Sequence, residues 1–225
     1  MKIFAPLCAA AALALLPATA ASAQDAGTIQ VKLLGTAVLP DGGITDVEVN
    51  ALGLAAGSDT RATDSVVPTV AAEYFFSNNF SVETICCVTP HDVRGVGAIN
   101  GARLVSDAII LPATVTAKLH LPLEGGFKPY IGAGPTYFVI FGEDVDTTAT
   151  TLGLTNVNLS NELGFALQAG VDIAVNDQGL GLTIDAKRYF VNTTATFTNA
   201  TGAVRLRSVH ELDPWVISAG LSYRF

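Results

Sequence analysis

Residues 215–225 read WVISAGLSYRF. Taken in steps of two, Trp215, Ile217, Ala219, Leu221, Tyr223 and Phe225 are apolar or amphipathic, whereas Val216, Ser218, Gly220, Ser222 and Arg224 are mostly small or polar. Successive side chains of a strand point to opposite faces, so this is a strand with two unlike faces. The apolar face carries aromatic rings at both ends. In a soluble sheet such a face meets a core. Rings at both ends suit a face that crosses lipid and touches two membrane interfaces.

Working outward, the same alternation recurs at Ile29–Ala37, Pro68–Phe76, Phe80–Val88 and Ala113–Leu121. Three further segments cover about residues 127–141, 163–175 and 180–190, so the closing strand makes eight. Each has the roughly 9 to 11 residues that a tilted strand needs to cross a bilayer, or a little more. The connections alternate in length. Ser77–Asn79, Pro122–Gly126 and Asn176–Gly179 are short turn signals, while 39–64, 91–110, 142–162 and 191–210 are long and polar. The expected fold is all-β: an eight-stranded antiparallel transmembrane β-barrel, an up-and-down meander with short periplasmic turns and long extracellular loops. Both termini then lie on the periplasmic side, with Trp215 near the outer interface and Tyr223 and Phe225 near the inner one. The Thr-rich stretches Thr147–Thr155 and Asn192–Thr201 are expected at loop tips.

Composition agrees. Half of the 225 residues are hydrophobic (50%), yet beyond residue 23 no apolar run reaches the roughly 18 residues of a membrane helix. At the N-terminus, Lys2, an apolar run from Ile3 to Leu16 and the small-x-small Ala21-Ser22-Ala23 predict a secretory signal over 1–23 and a barrel domain over 24–225. The expected location is the outer membrane. The formal charge of −8, or −9 without Lys2, argues against a nucleic-acid partner. Cys86 and Cys87 are adjacent and should point apart, which disfavours a disulfide between them.

Several stretches resemble the outer membrane protein W (OmpW) family across essentially the whole chain beyond the signal. They are Leu212-Asp213-Pro214-Trp215 with Ser218-Ala219-Gly220 and Tyr223-Arg224-Phe225, then Pro129-Tyr130-Ile131-Gly132-Ala133-Gly134, then Leu111-Pro112-Ala113-Thr114. Gln168-Ala169-Gly170-Val171-Asp172, and Val82-Glu83 followed by Thr89-Pro90, fit in the same order. The resemblance implies an eight-stranded outer-membrane barrel with a narrow channel or pocket for uptake or efflux of small hydrophobic molecules. The family commonly has an aromatic before the glycine aligned with Gly164. Here that residue is Leu163, which puts a gating role at that position in doubt. A terminal strand ending on Tyr223 and Phe225 also resembles the signal read by the outer-membrane insertion machinery. The expected partners are outer-membrane lipid and lipopolysaccharide, that machinery, and small hydrophobic solutes.

The inward face decides what passes, because an eight-stranded barrel is just wide enough for side chains to fill. Its charges alternate in sign around the wall: Arg224 and Lys32, Glu73 and Glu83, Lys118 and Lys128, Asp172 and Asp185, with Lys187 extra. An unpaired buried charge costs several kcal/mol, so these predict an ion-pair plug in the periplasmic half. The alternative is that they fill the lumen without any part in transport. Above them the same face turns apolar, with Leu34, Val67, Phe138, Ile140 and Val216 as pocket candidates beside Thr36, Cys87 and Ala166. Pro68, Pro112 and Pro135 fall within strands and lack a ladder donor. They are expected either to interrupt the wall and give lateral exit into the membrane or merely to mark bulges and strand ends. Arg188 would face lipid by strict alternation unless it sits at the interface or follows a bulge.

No catalytic, metal or cofactor site is expected. His91 and His210 fall in the presumptive loops, His120 lies near a periplasmic turn, and no G-x-S-x-G motif occurs. The competing reading of the whole chain is a structural, adhesin or phage/colicin-receptor barrel without transport activity.

Overall fold

The computed structural model describes residues 26–121, 123 and 126–225. The expected signal segment 1–23 lies outside them, as does most of the turn at 122–126. In chain order the strands are β1 (Ile29–Leu39), β2 (Ile44–Asn50), β3 (Ser58–Ala62), β4 (Ser65–Phe75), β5 (Phe80–Cys86), β6 (Thr89–Gly97) and β7 (Arg103–His120). They continue with β8 (Phe127–Phe141), β9 (Asp144–Val145), the short helix α1 (Thr147–Thr151), β10 (Leu154–Leu159) and β11 (Glu162–Ala174). β12 (Leu180–Phe190), β13 (Asn192–Asn199), β14 (Val204–Glu211) and β15 (Trp215–Arg224) complete the chain.

The strands β1, β4, β5, β7, β8, β11, β12 and β15 pair antiparallel in that order, and β15 pairs back onto β1. This is a closed eight-stranded barrel, as the alternation predicts. Closure satisfies the backbone groups that lipid could not. In β1 the outward Ile29 and Leu33 are exposed while Gln30, Lys32, Leu34 and Thr36 are buried inside. The outward belt continues through Val70, Leu119, Ile131, Leu167, Ile184 and Leu221. Tyr223 and Phe225 meet edge to face near the periplasmic rim, and Trp215 lies under the Arg188 guanidinium at the outer one. Arg188 faces outward there and donates to Asp41, so alternation holds without a bulge. Cys86 is exposed, Cys87 is buried, and both are free thiols.

The four segments expected to be loops carry β2, β3, β6, the upper part of β7, β9, α1, β10, β13 and β14, which corrects the sequence reading. β6 and the upper part of β7 extend the barrel wall outward, with β3 on the edge of β6. β10, β13, β14 and β2 form a separate four-stranded sheet over the extracellular end. The Thr-rich stretches are not loop tips: Thr147–Thr151 is α1, and Asn192–Asn199 is β13 at the centre of that sheet. The strand pattern of β13 is hidden because Thr is polar by composition yet suits a half-buried pleated surface. The inner side chains Ala195, Phe197, Leu154, Val157, Leu159 and Leu206 pack against Val105, Ala108 and Ile140 of the wall and Ala149 of α1.

Gly134 marks the closest approach between β7 and β8. The paired positions run to Thr114–Thr136, resume at Ala117–Ala133, and skip the two between. A Cβ at 134 would fall inside contact distance of the Val115 carbonyl, a backbone atom that cannot swing away. Gly134→Ala is therefore expected to destabilise the barrel by about 1–3 kcal/mol. A lower urea midpoint for the heat-modifiable folded band on a gel would show it.

Candidate functional site: an apolar double cavity above an ion-pair plug

The plug centres on Glu83. Its carboxylate accepts from Lys32 at 2.7 Å and Lys118 at 3.0 Å on one oxygen, and from Lys187 at 3.0 Å and Gln168 at 2.9 Å on the other. Glu73 shares Lys32 at 2.6 Å and Lys118 at 2.7 Å. Lys187 also reaches Asp185 at 2.7 Å, and Lys32 lies 3.7 Å from Asp172. Thus Lys32, Glu73, Glu83, Lys118, Asp172 and Asp185 come together as a cross-barrel network, and Lys187 joins it. All are buried.

Neutral groups complete it. Gln168 donates to Asp185 as well as Glu83 and accepts from Thr116, Tyr130 donates to Asp185, and Thr183 donates to Asp172. His120 and Ser81 bond to Glu73. The Lys118 ammonium sits 3.6 Å from the centroid of the Tyr130 ring. These neutral members were not singled out from the sequence. Their inward strand positions were the available signal, but parity does not reveal which polar side chains reach across the lumen.

Lys128 and Arg224 do not join the ion pairs, contrary to expectation. Both are cations stacked on Phe75, at 4.7 Å and 4.4 Å from its centroid. Arg224 donates to Gln30, whereas the Lys128 ammonium has no hydrogen-bond partner among the described residues. They lie at the periplasmic end, where Lys128 is in register with Asp172 across the β8–β11 ladder. Glu73, His120 and Asp172 bring ligand atoms within 4.8 Å of one another, but two ammonium groups already neutralise Glu73 and would oppose a cation.

Above the plug, Tyr189 and Phe138 meet edge to face across the bore, and Thr114 bonds to Thr136 and Tyr189. On this floor rests a small cavity with about 30 Å³ open to the centres of water-sized molecules, lined by Val38, Cys87, Pro112, Phe138, Tyr189 and Val216 among others. A larger one above it has about 80 Å³ and is walled by β2, β3, β6, β7, β8, β10, β13 and β14. That is space for roughly five to eight waters. Pro40, Ala62, His91, Ile110 and Leu212 border both cavities, so they adjoin. Of the five pocket candidates, Phe138, Ile140 and Val216 line this space. Leu34 and Val67 face inward but border neither cavity, because they stand level with Thr69–Gly220 and Thr36 lower in the wall. Leu163 points outward and takes no part.

The histidines assigned to loops line the upper cavity instead. His210 bonds to Thr60 at 2.9 Å and to Ser208 at 2.8 Å. His91 donates from Nδ1 to the Thr63 carbonyl at 2.6 Å and turns Nε2 toward the Thr89 hydroxyl. Burial lowers the pKa of both. It pushes His210 down to about 4, although nearby Asp59 acts the other way.

The wall beside the lower cavity is discontinuous. The β4–β5 ladder ends at Val70–Cys86, and no strand pairing joins 65–69 to β6. The β5–β7 ladder stops at Ile85–Thr114 and resumes as β6–β7 at Thr89–Ile110. Each in-strand proline stands by such an interruption. Pro68 lies in the part of β4 unpaired on that side, Pro112 faces inward opposite the β5–β6 break, and Pro135 lies at the skipped pairs of β7 and β8. Across its other edge Pro68 is in register with Gly35, so the β1–β4 wall is intact.

A closed eight-stranded barrel with an outward apolar belt, a polar bore and a covered extracellular end defines an outer-membrane protein. The family model described as OmpW family matches residues 25–225, and the chain belongs to that family. An outer-membrane protein of Sinorhizobium fredii, y4mB, is 32% identical over 93% of this chain and 85% of its own length. Outer membrane protein W of Vibrio cholerae is 27% identical over 97% and 98%. Among solved structures, OprG from Pseudomonas aeruginosa superposes with a TM-score of 0.80 at 23% identity, covering 90% of this chain and 98% of that one. AlkL in lipid bilayers gives 0.69 at 24% identity, covering 93% and 95%. These two show the shared fold. The protein is thus an outer-membrane barrel of the OmpW family.

Two expectations follow. Glu83→Gln strips charge from a carboxylate that three ammonium groups share. Breaking a buried pair costs about 3–5 kcal/mol, so unfolding in urea from lipid vesicles should shift by that order. His210 is neutral in the fold at a pH where an unfolded histidine, with a pKa near 6.5, takes up a proton. The unfolded chain therefore binds more protons between about 6.5 and 4, and acidification through that window weakens the extracellular sheet. ¹⁵N NMR of the His210 ring in nanodiscs should show a neutral imidazole at pH 5.5. A protonated ring there would contradict the burial argument.

Proposed function

We propose that this barrel is a passive route by which small hydrophobic molecules cross the outer membrane. The observation that carries this reading is the continuity of two adjoining apolar cavities that end on a closed ion network. A solute enters among the extracellular strands, moves from the upper cavity to the lower one, and is stopped by the Tyr189–Phe138 floor and the plug beneath. The remaining way out is sideways, past Cys87 and Pro112, where β4 and β6 share no ladder. There the solute reaches the lipid of the outer membrane. Charge supports this route, since an apolar molecule gains nothing by displacing Lys32 or Lys187 from carboxylates in a dry bore. In this reading the apolar belt faces lipid and lipopolysaccharide, and Tyr223 and Phe225 also serve as the address for the insertion machinery.

Single-channel recording of refolded protein in planar bilayers tests it. The expected result is low conductance that apolar solutes reduce further. A large steady conductance unaffected by such solutes would mean that the plug passes water and ions. Cys87→Phe fills the lower cavity without touching the plug. It should slow uptake of an apolar solute into vesicles severalfold while leaving the conductance unchanged.

A further inference from the structure

The upper cavity is not uniformly apolar, and its polar groups differ in what they leave free. Thr193 donates its hydroxyl to the Ser160 carbonyl. His91 is engaged at both ring nitrogens by Thr63 and Thr89. Asp59, outside the lining, accepts from the backbone amides of Ile44 and Thr60. Thr60, His210 and Ser208 are different. They form a relay of two hydroxyls on one neutral imidazole, and all three residues line the cavity.

A neutral imidazole has one N–H and one bare nitrogen. Whichever nitrogen holds the proton, one hydroxyl accepts from the ring and keeps its own O–H free. The other donates to the ring and keeps lone pairs free. The relay therefore offers a ligand both a donor and an acceptor, at one place in a wall built mostly of Leu, Ile, Val, Ala and Phe. Sites that bind small molecules are commonly apolar with a few polar groups that fix orientation.

Charge narrows the ligand further. Among the described residues no lysine or arginine lines the cavity, and the charged residue in its lining is Glu211, which is exposed at the edge. A carboxylate head would lie buried without a counter-ion, close to acidic Asp59 and Glu211. We propose that Thr60, His210 and Ser208 anchor the polar head of the solute, and that the preferred cargo is an uncharged amphiphile: a short apolar chain or ring bearing one hydroxyl or carbonyl. This rests on the reading of the cavity as a solute route and specifies its substrate class.

The test uses the protein in lipid nanodiscs with ¹³C-methyl Leu and ¹⁵N-His labels, and three probes of equal chain length: 1-hexanol, n-hexane and hexanoate. Leu154 and Leu206 methyls report occupancy, and the His210 ring reports contact with the head. All saturation points are compared between variant and parent for the same probe, which cancels partition into lipid. The expected result is that 1-hexanol shifts both reporters, n-hexane shifts only the methyls, and hexanoate shifts neither at the same concentration. Thr60→Val and Ser208→Ala, made separately, should each raise the 1-hexanol saturation point about fivefold, a net hydrogen bond's worth, and leave that of n-hexane unchanged. The discrimination among probes by the parent protein tests the anchor even where a variant does not fold. Methyl shifts from 1-hexanol with a silent His210 ring would overturn the anchor while leaving the apolar route standing. Hexanoate binding as well as 1-hexanol would overturn the uncharged-head requirement. If no probe reaches the methyls, the cavity is not a solute site, and the route falls with the anchor.

Discussion

A barrel of eight strands has no bore to spare, so each polar side chain aimed inward must be answered by another across a few ångströms. Glu83 shows the constraint most directly. Three ammonium groups and an amide converge on one carboxylate, and Glu73, Asp185 and Asp172 divide the remaining charge. The network cannot be thinned at one member without stranding a charge in a low-dielectric interior, where the penalty is several kcal/mol. The two adjoining cavities of the extracellular half stand above this network.

The free volume is bounded by elements that a polar composition disguises. β13 and β14 carry asparagine, threonine and arginine on one face and Ala195, Phe197, Leu206 and Ser208 on the other. Folded over the barrel mouth, they turn what would be an open end into a roofed cavity. Burial lowers the pKa of its two histidines by removing the water that would solvate a cation. The weak part of the wall lies beside the cavity rather than beside the plug. The interruption between β4 and β6 stands level with Cys87, Thr89 and Pro112, where the barrel is already held from above by β3 on β6.

Much of this was legible in sequence. The alternation in WVISAGLSYRF and its seven counterparts gave the eight strands, their facing and the belt, because a side-chain period of two is a local property. Inward parity also picked out seven members of the network, Lys187 among them. It overreached at Lys128 and Arg224, whose parity and charge match the network. Both lie at the periplasmic end against Phe75, short of a carboxylate. Parity also put Leu34 and Val67 in the pocket, since it says which way a residue faces and nothing about its height relative to a cavity.

Sequence alone thus determined the class of fold, the lipid-facing surface and the charges that must be paired, since each is set by neighbours in the chain or by the cost of burying a charge. Tertiary structure decided which charges meet and where the wall is unpaired. It also made 39–64, 91–110, 142–162 and 191–210 an extended wall and a roof rather than loops, and set His210 between Thr60 and Ser208. These depend on strand register and on contacts between residues as far apart as Thr60 and His210, separated by 150 positions. No local pattern encodes such a distance.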